Sequence, residues 1–230
     1  MAAVIELAGV KKSFDGKQVL SGLDLEIEKG ESVVLLGASG SGKSVTLKLI
    51  LGLERPDAGR IRAEPAKIGM LFQNGALFDS MPVWENVAFS LLMNLKMDEK
   101  RAKRIALEKL SEVGLSPQTA DLMPASLSGG MKKRVGLARA IATSPEILFF
   151  DEPTTGLDPL MGEVINRLIA EQVRRLGATA LTITHDIHSA RMIASRIVML
   201  ENGRITWSGA PAELEGADNE YIRRFVAAAG

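Results

Sequence analysis

The stretch Gly37-Ala38-Ser39-Gly40-Ser41-Gly42-Lys43-Ser44 matches the pattern G-x-x-x-x-G-K-[ST], a glycine-rich loop that binds phosphate groups. The run 32–36 before it, apolar after Ser32, predicts a short buried strand, and residues 44–53 after it predict a helix. The three glycines allow the backbone N–H groups to turn inward, and the start of the helix adds a positive dipole end. We expect Lys43 to reach the β- and γ-phosphates of a nucleotide and the Ser44 hydroxyl to bind Mg²⁺. A chance glycine-rich turn is the alternative, and the strand and helix on either side weigh against it.

The composition limits the classes of protein to consider. The chain has 230 residues, 46% of them apolar, no cysteine, and 28 basic and 28 acidic residues. A net charge of zero gives no basic footprint, so we expect no nucleic-acid partner. The first residues lack the features of a signal peptide, and no apolar stretch reaches the roughly 18 to 20 residues that span a bilayer. We therefore expect a soluble protein whose membrane role, if any, comes through a partner.

The patterning predicts a mostly parallel α/β core that begins with a strand-rich, antiparallel segment and contains an inserted helical block. Predicted strands cover 4–10, 23–27, 32–36, 68–72, 146–150, 178–184, 196–200 and 204–207, the last two joined by a hairpin turn. Predicted helices cover 44–53, 82–114, 128–142, 162–176 and 219–229, with a turn at 54–60 and a loop at 115–127. Within one domain of residues 1–230, we place the core at about 1–78 and 143–230 and the helical subdomain at about 79–142.

Polar side chains follow three predicted buried strands and are candidates for the chemistry of phosphate transfer. Asp151 suits a Mg²⁺ carboxylate, and its neighbour Glu152 suits a general base on an attacking water. Gln73 suits a ligand of Mg²⁺ or of the water, and His185 suits a contact to the γ-phosphate. The alternatives are solvated acids at a strand end, an ordinary exposed glutamine and a structural histidine. His188 lies outside this pattern and is interpreted as a surface residue.

Two further features extend the candidate site. Phe14 is one of few aromatic residues in the chain and suits stacking on adenine, although a place in the core fits its sequence pattern equally well. Ser128-Gly129-Gly130 forms a second glycine turn that opens a helix and suits an anion. Because one nucleotide already has a full cradle at 37–44, we expect this turn to close over a nucleotide held by another copy in a head-to-tail C2 dimer.

Together these motifs resemble the ATPase subunit of ATP-binding cassette (ABC) transporters over the whole chain. Residues 37–44 resemble its Walker A loop, Gln73 its Q-loop, 127–131 its signature, 148–152 its Walker B segment, and Gly156-Leu157-Asp158 its D-loop. The resemblance implies a P-loop NTPase fold with a RecA-like core, an N-terminal antiparallel β subdomain and an inserted α-helical subdomain. It also implies hydrolysis of ATP with Mg²⁺ and two ATP molecules sandwiched in each homodimer.

The resemblance assigns roles to individual residues. The implied catalytic residues are Glu152, His185, Gln73 and Lys43. The implied nucleotide contacts are Phe14, Gly37, Ala38, Ser39, Gly40, Ser41, Gly42, Lys43, Ser44, Val45, Gln73, Ser128, Gly129, Gly130, Asp158 and His185. The implied metal ligands are Ser44, Gln73 and Asp151. Ser128, Gly129 and Gly130 would contact the nucleotide of the opposing subunit.

A narrower resemblance connects the chain to the Mla-type phospholipid transport ATPases, which maintain outer-membrane lipid asymmetry. It is carried by residues 69–78, by Met131 where the signature usually has Gln, and by residues 132–140. It implies a membrane permease and an MCE-domain lipid-binding protein as partners, and a peripheral location on the cytoplasmic face of the inner membrane.

Two departures and three alternatives accompany this interpretation. The segment 53–73 is shorter than is usual in the family, so we expect a trimmed strand and loop there. The sequence ends at Gly230, so we expect no control by an appended regulatory domain. An ABC ATPase with another cargo, a soluble ABC ATPase acting on DNA or ribosomes, and a P-loop nucleotide kinase remain as alternatives. The last has no use for residues 128–130 or His185.

Overall fold

The computed structural model describes residues 3–64 and 66–229. In chain order the strands are β1 (Ala3–Phe14), β2 (Lys17–Glu28), β3 (Ser32–Leu36), β4 (Ala58–Ala63), β5 (Ile68–Leu71), β6 (Ile147–Asp151), β7 (Thr179–Thr184), β8 (Arg196–Glu201) and β9 (Arg204–Gly209). The helices are α1 (Lys43–Ile50), α2 (Val83–Met93), α3 (Glu99–Glu112), α4 (Gly129–Ile141), α5 (Pro159–Leu176), α6 (Ile187–Ile193) and α7 (Glu220–Ala229).

Contacts divide the chain into two compact units. We call residues 1–65 with 179–230 the terminal unit, and residues 66–178 the central unit. Helices α2, α3 and α4 all belong to the central unit, which also contains β5, β6 and α5. The boundaries of the predicted helical subdomain, at about 79–142, differ from this division and stay a prediction.

An antiparallel sheet of the terminal unit confirms the predicted strand-rich opening. Its order is β2-β1-β4. Buried and exposed residues alternate in β2 as predicted: Leu23, Leu25 and Ile27 are buried, and the residues between them are exposed. Strand β4 was not predicted, because five of its six residues are exposed and give no apolar alternation. The short segment 53–73 therefore still contains a strand paired with β1.

The terminal unit also holds the parallel strands beside the phosphate loop. Strand β3 pairs in parallel with β7 on one side and β8 on the other, and β9 pairs antiparallel with β8. The residues of β3 after Ser32 and all of β7, including its three threonines, are buried, as expected of strands inside a parallel sheet. The turn between β8 and β9 contains Asn202 and Gly203, both with positive φ, which confirms the predicted hairpin.

The central unit contains two parallel strands and four α-helices. Strands β5 and β6 pair in parallel, with Leu71 opposite Phe150. The helical pattern predicted over 82–114 forms two helices, because Lys96 takes a positive φ of 48° and Asp98 caps α3 by accepting from the N–H of Arg101. Helix α5 begins before its predicted start at Gly162, because the Asp158 carboxylate caps it.

None of the helices formed by residues 3–64 and 66–229 combines the length and the apolar character that crossing a bilayer requires.

Candidate nucleotide-binding site

The loop between β3 and α1 has a backbone that only glycine permits at three points. A Cβ on Gly37 would lie 2.4 Å from the Leu200 carbonyl oxygen, so no other residue fits there. Gly40 and Gly42 have φ values of 80° and 108°, where side chains are strained. A Cβ on Gly42 would also lie 2.7 Å from Leu20 Cδ2. The loop therefore forms the compact, glycine-lined turn that a phosphate group requires.

Lys43 brings a positive charge to this loop. Its side chain is buried, and its Nζ donates to the carbonyl oxygens of Gly37 at 2.7 Å and Ala38 at 3.0 Å. The N-terminus of α1, which starts at Lys43 itself, adds backbone N–H groups and the helix dipole. Ser44 is exposed and Val45 half-buried at the same helix start. Chemically, this arrangement is suited to bind a polyphosphate.

Phe14 lies at the end of the β1–β2 hairpin, and its ring is 40% exposed. The exposure excludes the core alternative. Lys12 Nζ lies over one face of the Phe14 ring, 5.0 Å from its centroid, at the distance of a cation–π contact. The same hairpin supports the phosphate loop through Leu20, next to Gly42. Stacking of the Phe14 ring on adenine stays a prediction.

His185 follows β7 at the edge of the sheet where the phosphate loop begins. Thr184, the residue before it, pairs with Leu36, and Leu36 is followed by Gly37. The carboxyl ends of these two parallel strands therefore place His185 and Gly37 at a common edge. His185 is exposed there, and His188, on α6, is exposed as predicted.

In the central unit, Asp151 ends β6 and Glu152 follows it, as the sequence predicts. Glu152 has a φ of 46°, a left-handed conformation that is rare for a residue other than glycine. Its carboxylate accepts a hydrogen bond from the Thr155 hydroxyl at 3.3 Å. Gln73 follows the neighbouring strand β5 and is exposed. Because Leu71 pairs with Phe150, Gln73 and Asp151 lie past the same edge of this strand pair.

Lys133 is a site residue that the sequence pattern did not predict, and its ammonium lies between two of the predicted site residues. Its Nζ donates to the backbone carbonyl oxygens of Gln73 and, at 3.2 Å, of Glu152. Burial lowers the pKa of Lys133 to about 8, and the charges of Asp151 and Glu152 oppose that fall. Its position outside the apolar stripe of α4 gave no periodic signal for burial.

The remaining predicted residues lie at the starts of two helices of the central unit. Ser128 caps α4 by accepting from the N–H of Met131 at 3.3 Å, and Asp158 caps α5 by accepting from the N–H of Met161 at 2.9 Å. Ser128 and Asp158 are exposed, as is Gly129, whereas a Cβ on Gly130 would lie 2.9 Å from Met161 Cγ. The second glycine turn is thus an exposed helix N-terminus, the form expected of an anion contact.

Comparisons with known proteins agree with this geometry. The ABC transporter family profile matches residues 20–155. The probable ribonucleotide transport ATP-binding protein mkl of Mycobacterium leprae is 37% identical, over 98% of this chain and 69% of its own length. The spermidine/putrescine import ATP-binding protein PotA of Photobacterium profundum is 38% identical, over 97% of this chain and 62% of its own length. The chain thus spans about two thirds of these relatives.

Two solved structures have the same fold. The dimeric ATP-binding cassette MJ0796, in a post-hydrolysis state bound to ADP and Pi, aligns with a TM-score of 0.82 and 32% identity, over 90% of this chain and 98% of that one. The cbiO1 protein of Clostridium perfringens, part of the ABC transporter complex cbiONQ, aligns with a TM-score of 0.84 and 29% identity, over 97% of this chain and 94% of that one. The chain therefore has the P-loop α/β fold with an antiparallel β subdomain and a helical part, and it belongs to the ABC transporter family as an ATP-binding and ATP-hydrolysing subunit.

Proposed function

We propose that two copies of this chain bind and hydrolyse ATP head to tail, and that the cycle drives a membrane permease that moves phospholipid. The observation that carries the proposal is the phosphate loop. The Gly37 position has no room for a Cβ, and the buried Lys43 ammonium is held by the loop carbonyls. Such a loop binds the β- and γ-phosphates, and the hydrolytic chemistry then depends on a base and a divalent ion.

Each remaining site residue has a role in this proposal. Residues 37–45 hold the triphosphate, Phe14 stacks on adenine, and His185 contacts the γ-phosphate. Glu152 accepts a proton from the attacking water. The oxygen donors of Ser44, Gln73 and Asp151 are the kind that Mg²⁺ prefers, and they would hold it. The ion, when bound, would neutralise charge on the phosphates.

The dimer is supported by exposed residues at the second glycine turn and at the start of α5. Ser128 and Asp158 are exposed at helix starts, and Leu160 is 78% exposed beside Asp158. A head-to-tail C2 pair would bring Ser128, Gly129 and Gly130 of one copy to the nucleotide of the other. The relative MJ0796 is dimeric in its ADP- and Pi-bound state.

The permease contact is supported by a groove in the central unit. A cavity of about 430 Å³ is lined mainly by apolar side chains, including Ile68, Phe72, Phe78 and Phe89. Phe72 and Phe78 are 39% and 40% exposed, more than large aromatic side chains usually are. Arg139 adds one cation to the lining, 5.9 Å from the Phe78 ring centroid. We infer that an amphipathic helix from a cytoplasmic loop of the permease occupies this groove.

The phospholipid cargo rests on the resemblance of residues 69–78 and Met131 to Mla-type ATPases. In that setting the complex includes an MCE-domain lipid-binding protein and lies on the cytoplasmic face of the inner membrane. Two curated relatives are named for other cargoes, one for ribonucleotide and one for spermidine and putrescine. Polyamine or ribonucleotide transport is therefore the second candidate.

The test is purification of the tagged chain from membranes of its own source, followed by ATPase assays on the complex. We expect a permease to co-purify, and added phospholipid to stimulate hydrolysis more than spermidine or a ribonucleoside monophosphate does. A complex carrying Glu152→Gln serves as the inactive control. Stimulation by spermidine or the nucleotide alone would overturn the lipid assignment. A chain that purifies only without a membrane protein would support the soluble ABC ATPases instead.

A further inference from the structure

Helix α4 holds the segment after β5 through two basic side chains. Lys133 donates to the carbonyl oxygen of Gln73. Arg139, about two turns further along, donates to the carbonyl oxygens of Gly75 at 2.6 Å and Ala76 at 2.7 Å. Burial removes part of the hydration of the Arg139 guanidinium and so lowers its pKa. The backbone of residues 73–76 is therefore fixed to α4 at both ends.

Lys133, unlike Arg139, also donates to a second segment of the chain. Its Nζ also donates to the carbonyl oxygen of Glu152, and only 4% of the residue is exposed. Burying an ammonium costs free energy unless its donors are satisfied, and an apolar side chain of similar length would avoid that cost. The use of a lysine here is explained by the two carbonyl oxygens that it joins, which lie 60 and 19 residues away in the sequence.

The conformation of Glu152 explains why such a bond would matter. Its φ of 46° lies in the left-handed region, where a residue with a Cβ is strained. A hydrogen bond to its carbonyl oxygen restricts the rotation of that peptide group. The restriction fixes the direction of the Cα–Cβ bond and with it the position of the carboxylate.

We propose that Lys133 is a positioning residue that joins the backbone of Gln73 to that of Glu152 and so holds the general base in its catalytic orientation. The inference rests on the proposed role of Glu152. Ala76, close to Gln73 in the chain, also lines the apolar groove. The Lys133 side chain therefore connects the segment at the groove to Glu152. A permease helix that moves residues 73–76 would act on Glu152 through Lys133.

The test compares three variants of the full chain in steady-state ATPase assays and thermal unfolding. Lys133→Met keeps length and packing but removes the donors. We expect its kcat to fall by about tenfold or more, with KM for ATP within about threefold of wild type, because small displacements of catalytic groups are costly. Lys133→Arg keeps donors and should retain kcat within about threefold. Lys132→Met, which removes a partly exposed lysine from the same helix, is the matched control.

Several outcomes would overturn the inference. One is a folded Lys133→Met protein with wild-type kcat, and another is a loss of kcat matched by an equal rise in KM. If Lys133→Met does not fold, Lys133→Arg decides, and a folded arginine variant that loses tenfold or more in kcat contradicts the proposal. Wild-type activity in the same assays tests the hydrolytic function separately, so failure of the two claims can be told apart.

Discussion

The Lys43 ammonium donates to the carbonyl oxygen of Gly37 at 2.7 Å, and these two residues lie at opposite ends of the phosphate loop. The cation is therefore held in place by the loop itself. The positive charge is thus already inside the loop before a phosphate binds there.

Lys43→Ala removes this charge from the loop. We expect nucleotide affinity to fall by roughly tenfold to a hundredfold, because a charge-assisted hydrogen bond contributes about 1.5–3 kcal/mol. Titration with a fluorescent ATP analogue measures the change. Lys48→Ala, which removes an exposed lysine from the same helix, should bind like wild type. Unchanged affinity in Lys43→Ala would remove Lys43 from the phosphate contacts.

Gly37→Ala places a Cβ 2.4 Å from the Leu200 carbonyl oxygen, a backbone atom that cannot move aside on its own. We expect a loss of about 1–3 kcal/mol in the free energy of unfolding, together with weaker nucleotide binding. Chemical denaturation measures the stability. Gly162→Ala is the control, since its Cβ would meet only ordinary contacts at 3.7 Å and 3.8 Å. That helical glycine should tolerate alanine or gain about 0.5–1 kcal/mol. Equal stability of the two variants would contradict the description of the loop.

Glu152→Gln keeps the size of the side chain but removes the base. We expect ATP to bind with near wild-type affinity while hydrolysis falls by a hundredfold or more, as loss of a general base commonly costs 10²–10⁴. Single-turnover assays with labelled ATP separate binding from chemistry. Hydrolysis at the wild-type rate would exclude Glu152 as the base.

Glu31 provides a prediction of pH dependence. Its carboxylate accepts from Arg196 Nε at 2.5 Å and from a second guanidinium nitrogen at 3.0 Å, in the terminal unit. Burial raises the pKa of Glu31, but the hydrogen bonds from Arg196 and from the Glu28 backbone, with the Arg196 charge, bring it below its ordinary value of 4.5. The carboxylate's contribution to stability is therefore complete above pH 4.5 and is lost as the pH falls through the lowered pKa.

Glu31→Gln should cost about 1–3 kcal/mol in the free energy of unfolding near neutral pH. The difference from wild type should shrink as the pH falls below 4.5. Urea unfolding at a series of pH values measures both effects, with Glu146→Gln, at an exposed position, as the control. A difference that stays constant from pH 7 to pH 3 would show that this ion pair does not stabilise the fold.

Features that depend on local sequence were predictable. Gly40 and Gly42 are specified by their own positive φ values, and the run 147–150 is apolar because β6 is buried. Asp151 follows that run directly, which is why its place at the strand end could be predicted from the pattern alone.

Features that depend on distant contacts were not predictable. Strand β4 forms because β1 offers it hydrogen bonds, although its own side chains are mostly exposed. The role of Lys133 depends on Gln73, 60 residues away, and nothing in the pattern of α4 distinguishes it from the solvated Lys132. The apolar groove around Phe78 likewise appears only once the chain is folded.

The ATP-dependent dimer is tested most directly by measuring the mass of Glu152→Gln in solution, with and without ATP and Mg²⁺. The account predicts a shift from one chain of 24.7 kDa to a pair when ATP is added, and no shift when Ser128→Arg is introduced as well. A protein that binds ATP to saturation yet keeps the mass of a single chain would contradict the account. So would a pair that forms equally well with Ser128→Arg.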